Sequence, residues 1–230
     1  MSLKTFNDDS ISIMTELIII GYSRNKSSKD IPNLILKIIC LHFGNILHSN
    51  IITDIQASFN FVNKISQELN KNIILTKIFD SNIDGMTANA FHQRCDNKGP
   101  LLCIVENNYQ YIFGGYTSIS WSSQNGYKSD KNAFIFGIKP ELFICKILND
   151  EIKHAVYHDI NCGFIFGNCG DICLIDNGNC GDLIDNDIDC NKGYSFLMSY
   201  GCTKNLVCNN QKREKNINFF VDRYEVFTVK

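Results

Sequence analysis

The chain has no excess of basic residues: 22 Lys and Arg face 24 Asp and Glu, for a net charge of −2. A binder of nucleic acid or of an anionic membrane surface normally carries a basic field, so the composition argues against both. Long apolar runs are missing as well. Residues 31–47 are apolar but broken by Lys37 and His42, and the run falls short of the roughly 20 residues needed to cross a bilayer. The short apolar stretch 11–20 follows Asp8 and Asp9 rather than a basic segment, which is not the pattern of a secretory leader. These absences lead to the expectation of a soluble, cytoplasmic protein. Nucleotide loops are lacking too. Gly167 and Gly170 have no Lys-Ser/Thr after them, and Gly114-Gly115 lies in a strand-like run with no helix behind it. Proline is scarce, with three residues in all, and each marks a boundary: Pro32, Pro100 and Pro140.

The eleven cysteines are an odd number. Without a leader, a disulfide framework is not expected, because the cytosol keeps thiols reduced. Cys40, Cys95, Cys103 and Cys145 sit in apolar surroundings and read as small buried hydrophobes.

What is present is enough to fold. The chain is 44% hydrophobic and 20% charged, the balance of a globular domain of ordinary size with an appendage. Helical periodicity predicts segments over 11–22, 31–44 and 53–69. In the last, Ile55, Phe59, Val62, Ile65 and Leu69 form one apolar stripe. A boundary is expected at Asn70-Lys71-Asn72, giving a helical segment over 1–71 that either caps the main domain or reaches for a partner. Beyond it, short strand-like runs follow one another: 73–79, 101–105, 111–116, 133–138, 142–148, 154–158, 163–166, 171–175, 194–197 and 218–229, the last bent near Asp222-Arg223. One helix interrupts them. Thr87 is its N-cap, residues 88–95 are its body, and Phe91 and Cys95 share a face at i, i+4. Gly99 and Pro100 end it. The pattern predicts an α+β, mainly β fold: a two-sheet antiparallel β-sandwich flanked by a few short helices, with an N-terminal helical arm.

Three ordered blocks carry a resemblance: AFHQRCDNKGP at 90–100, YIFGGYTS at 111–118 and YKSDKNAFIF at 127–136. Together they resemble the TLDc domain of the oxidation-resistance proteins and their relatives, with the domain placed at 72–230. The motif residues, taken as structural, are Phe91, Cys95, Asp96, Gly99, Pro100, Phe113, Gly114 and Gly115. Tyr116, Trp121, Asp130, Phe134, Phe136, Gly170 and Asp171 complete them. The resemblance implies two antiparallel sheets, a role in oxidative-stress protection, and binding and regulation of the vacuolar proton-pumping ATPase. It implies neither an enzyme activity nor a cofactor.

Four constellations are candidates for chemistry. His92 and Cys95, one turn apart, match a thiolate–imidazole pair, but no oxyanion device accompanies them; a packing helix with His92 exposed is the plainer reading. Asp185, Asp187 and Asp189 match the first acids of a calcium loop, yet Cys190 and Phe196 stand where an EF-hand needs Gly and Glu. Cys162, Cys169, Cys173, Cys180, Cys190, Cys202 and Cys208 are dense enough for structural zinc or for redox thiols, with Cys169 and Cys173 the closest to a metal knuckle. The glycine loops are not phosphate cradles. The leading expectation is a non-enzymatic TLDc interaction module with a protein partner; the alternatives are a thiol-based redox protein using the 162–208 cluster, or a metal-stabilised interaction module.

Overall fold

A computed structural model describes residues 47–168, 171–175, 192–195, 199–202, 206 and 217–230. The helices expected over 11–22 and 31–44, Cys40, Cys169, Gly170, Cys180, Cys190, Cys208 and the acid run 185–189 lie outside these residues. Helix α1 spans Ile55–Leu69; its N-cap is Asp54, whose carboxylate accepts from the backbone of Ala57, and it ends at Asn70 in the left-handed region. Strand β1 (Leu75–Asp80) leads into a single turn, α2 (Ser81–Asp84), and then α3 (Ala88–Cys95), capped by the Thr87 hydroxyl. Nine strands follow: β2 (Leu101–Asn107), β3 (Ile112–Thr117), β4 (Gly126–Lys128), β5 (Phe134–Lys139), β6 (Phe143–Lys146), β7 (Val156–His158), β8 (Cys162–Phe166), β9 (Ile172–Ile175) and β10 (Lys192–Ser195). Strand β11 (Ile217–Val229) closes the chain.

Among the described residues, all pairings between these strands are antiparallel. One sheet runs β1-β11-β2-β3-β5-β6, the other β4-β7-β8-β9-β10, and β11 belongs to both. Its first residues pair with β10, and its later ones lie between β1 and β2. The change of partner coincides with a register shift between Val221 and Arg223, where the sequence predicted a bend. A bulge of this kind turns a strand and raises its local twist.

The first sheet is buried on both faces, which is why β2 reads as an unbroken apolar run rather than an alternating one. Leu101, Cys103 and Val105 face the space between the sheets, whereas Leu102 and Ile104 face α1. The inter-sheet core is aromatic, built around Phe79, Phe91, Phe113, Trp121, Phe164 and Phe166. On the far face Phe61, Val62 and Ile65 of α1 pack against Phe134 and Phe136, with the Phe61 and Phe136 rings 4.9 Å apart. Val62 and Ile65 of the expected stripe pack on the sheet with Leu69 partly buried, whereas Ile55 and Phe59 stay half-buried outside this cluster and Phe61, which the expected stripe left out, is fully buried in their place.

Gly114 and Gly115 are explained by close approach. A Cβ on Gly115 would stand 2.6 Å from the Phe166 ring of the opposite sheet, and one on Gly114 would strike the backbone carbonyl of Cys103. Gly115→Ala is expected to cost about 1–3 kcal/mol through overpacking. Gly114→Ala should cost more, because a strand backbone cannot yield as a ring can. Urea denaturation of both variants checks the order.

Candidate functional site

Short polar side chains at the end of α3 meet the loop after β7. His92 is buried, not exposed as the sequence suggested. Its Nδ1 lies 2.8 Å from Asp96 Oδ1, and its Nε2 lies 2.9 Å from the carbonyl of Asp159 and 3.0 Å from that of Cys162. The other Asp96 oxygen accepts from the Ser123 hydroxyl at 2.6 Å. The three groups within hydrogen-bond distance of the ring are all oxygens: the Asp96 carboxylate at one nitrogen and two backbone carbonyls at the other. The order Ser–Asp–His is wrong for a hydrolase, in which the serine must hydrogen-bond to the imidazole. The assembly fastens α3 to the 159–162 loop.

The thiolate–imidazole reading fails on the same geometry, because both His92 nitrogens are engaged elsewhere. Cys95 is buried, and burial, with the Asp96 and Asp84 charges adding, pushes its thiol well up. Burial does the same to Cys103, with Cys95 adding. A nucleophilic cysteine needs the opposite shift. Cys145, Cys173 and Cys202 are also buried thiols. Cys162 departs from the expectation of reduced thiols: it is disulfide-bonded. Among the described residues no three His, Cys, Asp or Glu side chains are grouped to hold a metal ion.

The remaining motif acids are staples. Asp130, at 4% exposure, accepts from the Thr117 hydroxyl (2.8 Å), the Ser118 amide (2.6 Å) and hydroxyl (2.7 Å), and the Asn132 amide (3.0 Å). Asp171 is fully buried and accepts from the amides of Ser199 and Tyr200. Phe91, Phe113, Trp121, Phe134 and Phe136 are core residues, and Tyr116 stacks on Phe134 at 4.9 Å. Gly99 takes a left-handed φ of 83°, but it is not the helix cap: α3 ends at Cys95 with Asp96 as its C-cap, and Asn97 is already left-handed at 59°.

Two clusters were not anticipated. Glu225 on β11 and Asp80 on β1 are both buried. Lys77 reaches both, at 2.5 and 3.1 Å. The Ser49 hydroxyl and Asn50 amide bond to Glu225, and the Asn50 side chain bonds to Asp80. Burial opposes the charge on Lys77, but hydrogen bonds and charge from Glu225 and Asp80 outweigh it and hold the amine above its ordinary value. Burial likewise works against the Asp80 carboxylate, which the bonds from Lys77, Asn82 and Asn50 still keep low. No sequence pattern links residues 49–50, 77–80 and 225; sheet pairing brings them together. The second cluster is His158 on β7. Its ring lies 4.9 Å from Trp121, and its Nδ1 lies 2.9 Å from the Ser122 hydroxyl. Its Nε2 and the Trp121 Nε1 are buried without a hydrogen-bond partner among the described residues.

Two antiparallel sheets closed over an aromatic core, with their buried acids and histidines used as internal fasteners, define a mainly β sandwich domain. The profile of the TLDc domain family matches residues 41–230, and the chain belongs to that family. Among curated proteins it is similar to mTOR-associated protein MEAK7. It is 29% identical to the zebrafish (Danio rerio) protein over 79 residues, covering 34% of this chain and 18% of that one. It is 35% identical to the Xenopus laevis protein over 68 residues, covering 28% and 14%. It is 27% identical to the human protein over 85 residues, covering 36% and 16%. Each match thus spans less than a fifth of the relative's length. No helix among the described residues is long and apolar enough to cross a membrane.

Burial, with Lys128 and His92 adding and Asp96 opposing, lowers the His158 pKa to about 4. The unfolded chain therefore binds a proton below pH ~6.5 that the folded chain refuses until pH ~4. His158 contributes stability above pH ~6.5 that is lost as pH falls through this window, up to about 3 kcal/mol. Urea titrations at pH 7 and 4.5 on the wild type and His158→Gln should give a smaller pH-dependent loss for the variant.

Proposed function

We propose that the chain is a non-enzymatic interaction module of the cytoplasm that acts by docking to a protein partner. The observation that carries this reading is how its chemistry-bearing groups are used. His92, Asp96, Asp130 and Asp171 are turned inward and bonded to other parts of the fold. None is left poised over a cleft. The relatives named as mTOR-associated support a partner-binding role. Within it, we place the function in oxidative-stress protection and in binding and regulating the vacuolar proton-pumping ATPase, as the family resemblance implies. A rigid sandwich suits that work, because a preorganised surface loses little entropy on docking.

A second reading draws on Cys162. Its disulfide lies in the same small cluster as the Cys173 thiol, the juxtaposition that thiol–disulfide exchange requires. Against it, Cys173 is fully buried, and exchange needs access by the attacking or accepting species.

Affinity capture of the tagged chain from native lysate, followed by mass spectrometry, is expected to recover subunits of the proton-pumping ATPase or of an mTOR-containing assembly. Recovery of neither, under both pump-assembly and pump-disassembly conditions, would contradict the partner reading. Peroxide consumption in the presence of a thiol reductant is expected to match buffer for the wild type. Consumption abolished by Cys173→Ser would favour the thiol reading instead.

A further inference from the structure

One groove stands apart from the internal fasteners. It has a volume of about 380 Å3 and lies where the C-terminus of α1 meets the loop before β5 and the end of β6. Lys71, Lys131 and Lys146 line it together with Glu68. Lys146 pairs with Glu68 at 2.6 Å, and Lys71 and Lys131 have no ion-pair partner among the described residues. The groove therefore carries positive charge in excess on a chain whose net charge is −2.

Its walls are fixed by backbone geometry. Lys71 follows the left-handed cap residue Asn70, and its own amide donates to the Ser66 carbonyl. Lys131 sits between Asp130, whose carboxylate ties the loop to Thr117 and Ser118, and Asn132, whose amide donates back to Asp130. The floor is the stacked pair Tyr116 and Phe134. Tyr116 lines the groove and is 3% exposed.

We propose that this groove binds an acidic peptide segment of a partner protein, with carboxylates taken by Lys71 and Lys131 and one of them accepting from the Tyr116 hydroxyl. This rests on the partner-binding reading and supplies it with a surface. Two features favour a peptide over a lipid surface. Of the lining apolar residues, Tyr116, Ala133 and Phe134 are buried and Leu69 is partly buried against the core, which leaves no apolar side chain standing out to insert into a bilayer. The acidic net charge also opposes a flat anionic membrane, whereas a recessed local site can still draw in a narrow acidic segment.

The test uses the full chain and a fluorescein-labelled twelve-residue peptide of alternating Glu and Asp, with a Gly-Ser peptide as control, read by anisotropy at low salt. Binding of the acidic peptide alone is expected. It should weaken about tenfold or more in Lys71→Glu/Lys131→Glu, since two attractions become repulsions, and about threefold in Tyr116→Phe, which keeps the stacked ring. It should also fall with added salt. Undiminished binding in the double variant overturns the proposal, as does absence of binding. So does lysine-dependent sedimentation with phosphatidylserine vesicles in place of peptide binding. The double variant is also carried through the lysate capture. Partners retained by it, with no peptide bound by the wild type, would reject the groove while leaving the partner-binding reading in place; loss of partners from wild type and variant alike would reject both.

Discussion

Strand β11 has to serve two sheets, and it does so by bending at Val221–Arg223 and by burying a carboxylate. Glu225 sits between β1 and β2 at 1% exposure, where an unpaired charge would be intolerable. Lys77, Ser49 and Asn50 resolve this, and in doing so they fix the chain entering α1 to the last strand of the domain. Breaking such a buried pair by removing one partner costs far more than the pair itself contributes, because the remaining charge stays buried. The arrangement specifies one register for β11 and one position for residues 49–50, and the helix that covers the outer face follows from that position.

The same economy runs through the domain. Asp130 organises the loop between β3 and β5, Asp171 holds the Ser199–Tyr200 segment, and His92 with Asp96 ties α3 to the loop after β7. Acid and imidazole groups that could serve catalysis are bonded instead to backbone amides, hydroxyls and carbonyls. Each fastener joins segments distant in sequence, so the many short strands behave as one body. A protein built this way has its outer surface free for recognition, and the lysine-lined groove beside α1 is where that surface is both shaped and charged.

Much of this could be read in the chain. The Thr87 cap, the end of α3 before Gly99-Pro100, the shared face of Phe91 and Cys95, and most strand positions follow from local rules of capping, breaking and periodicity. A double glycine within a strand is consistent with a bulge, a bend or a close approach; that it is a close approach, and that Phe166 is the side chain approaching Gly115, could come only from the packing of the second sheet. Strand β4, at three residues, is too short to leave a periodic signal, and α2 is a single turn. His92 was misplaced because helical spacing says which residues share a face, not what covers that face; the 159–162 loop covers it. The Glu225 cluster was invisible for the same reason, since residues 49, 77, 80 and 225 meet only through strand pairing. The lysine groove gathers residues from three elements whose net charge is masked in the whole-chain sum.

Because β11 is shared, both sheets form one cooperative unit. Native-state hydrogen exchange under increasing denaturant tests it directly. Amides of β2 and β3 in the first sheet and of β8 in the second should open with the same free energy and the same denaturant dependence, as members of one unfolding unit. Loss of protection in β8 at a clearly lower free energy, with β2 and β3 still protected, would mean that the sheets unfold separately and that β11 does not join them energetically.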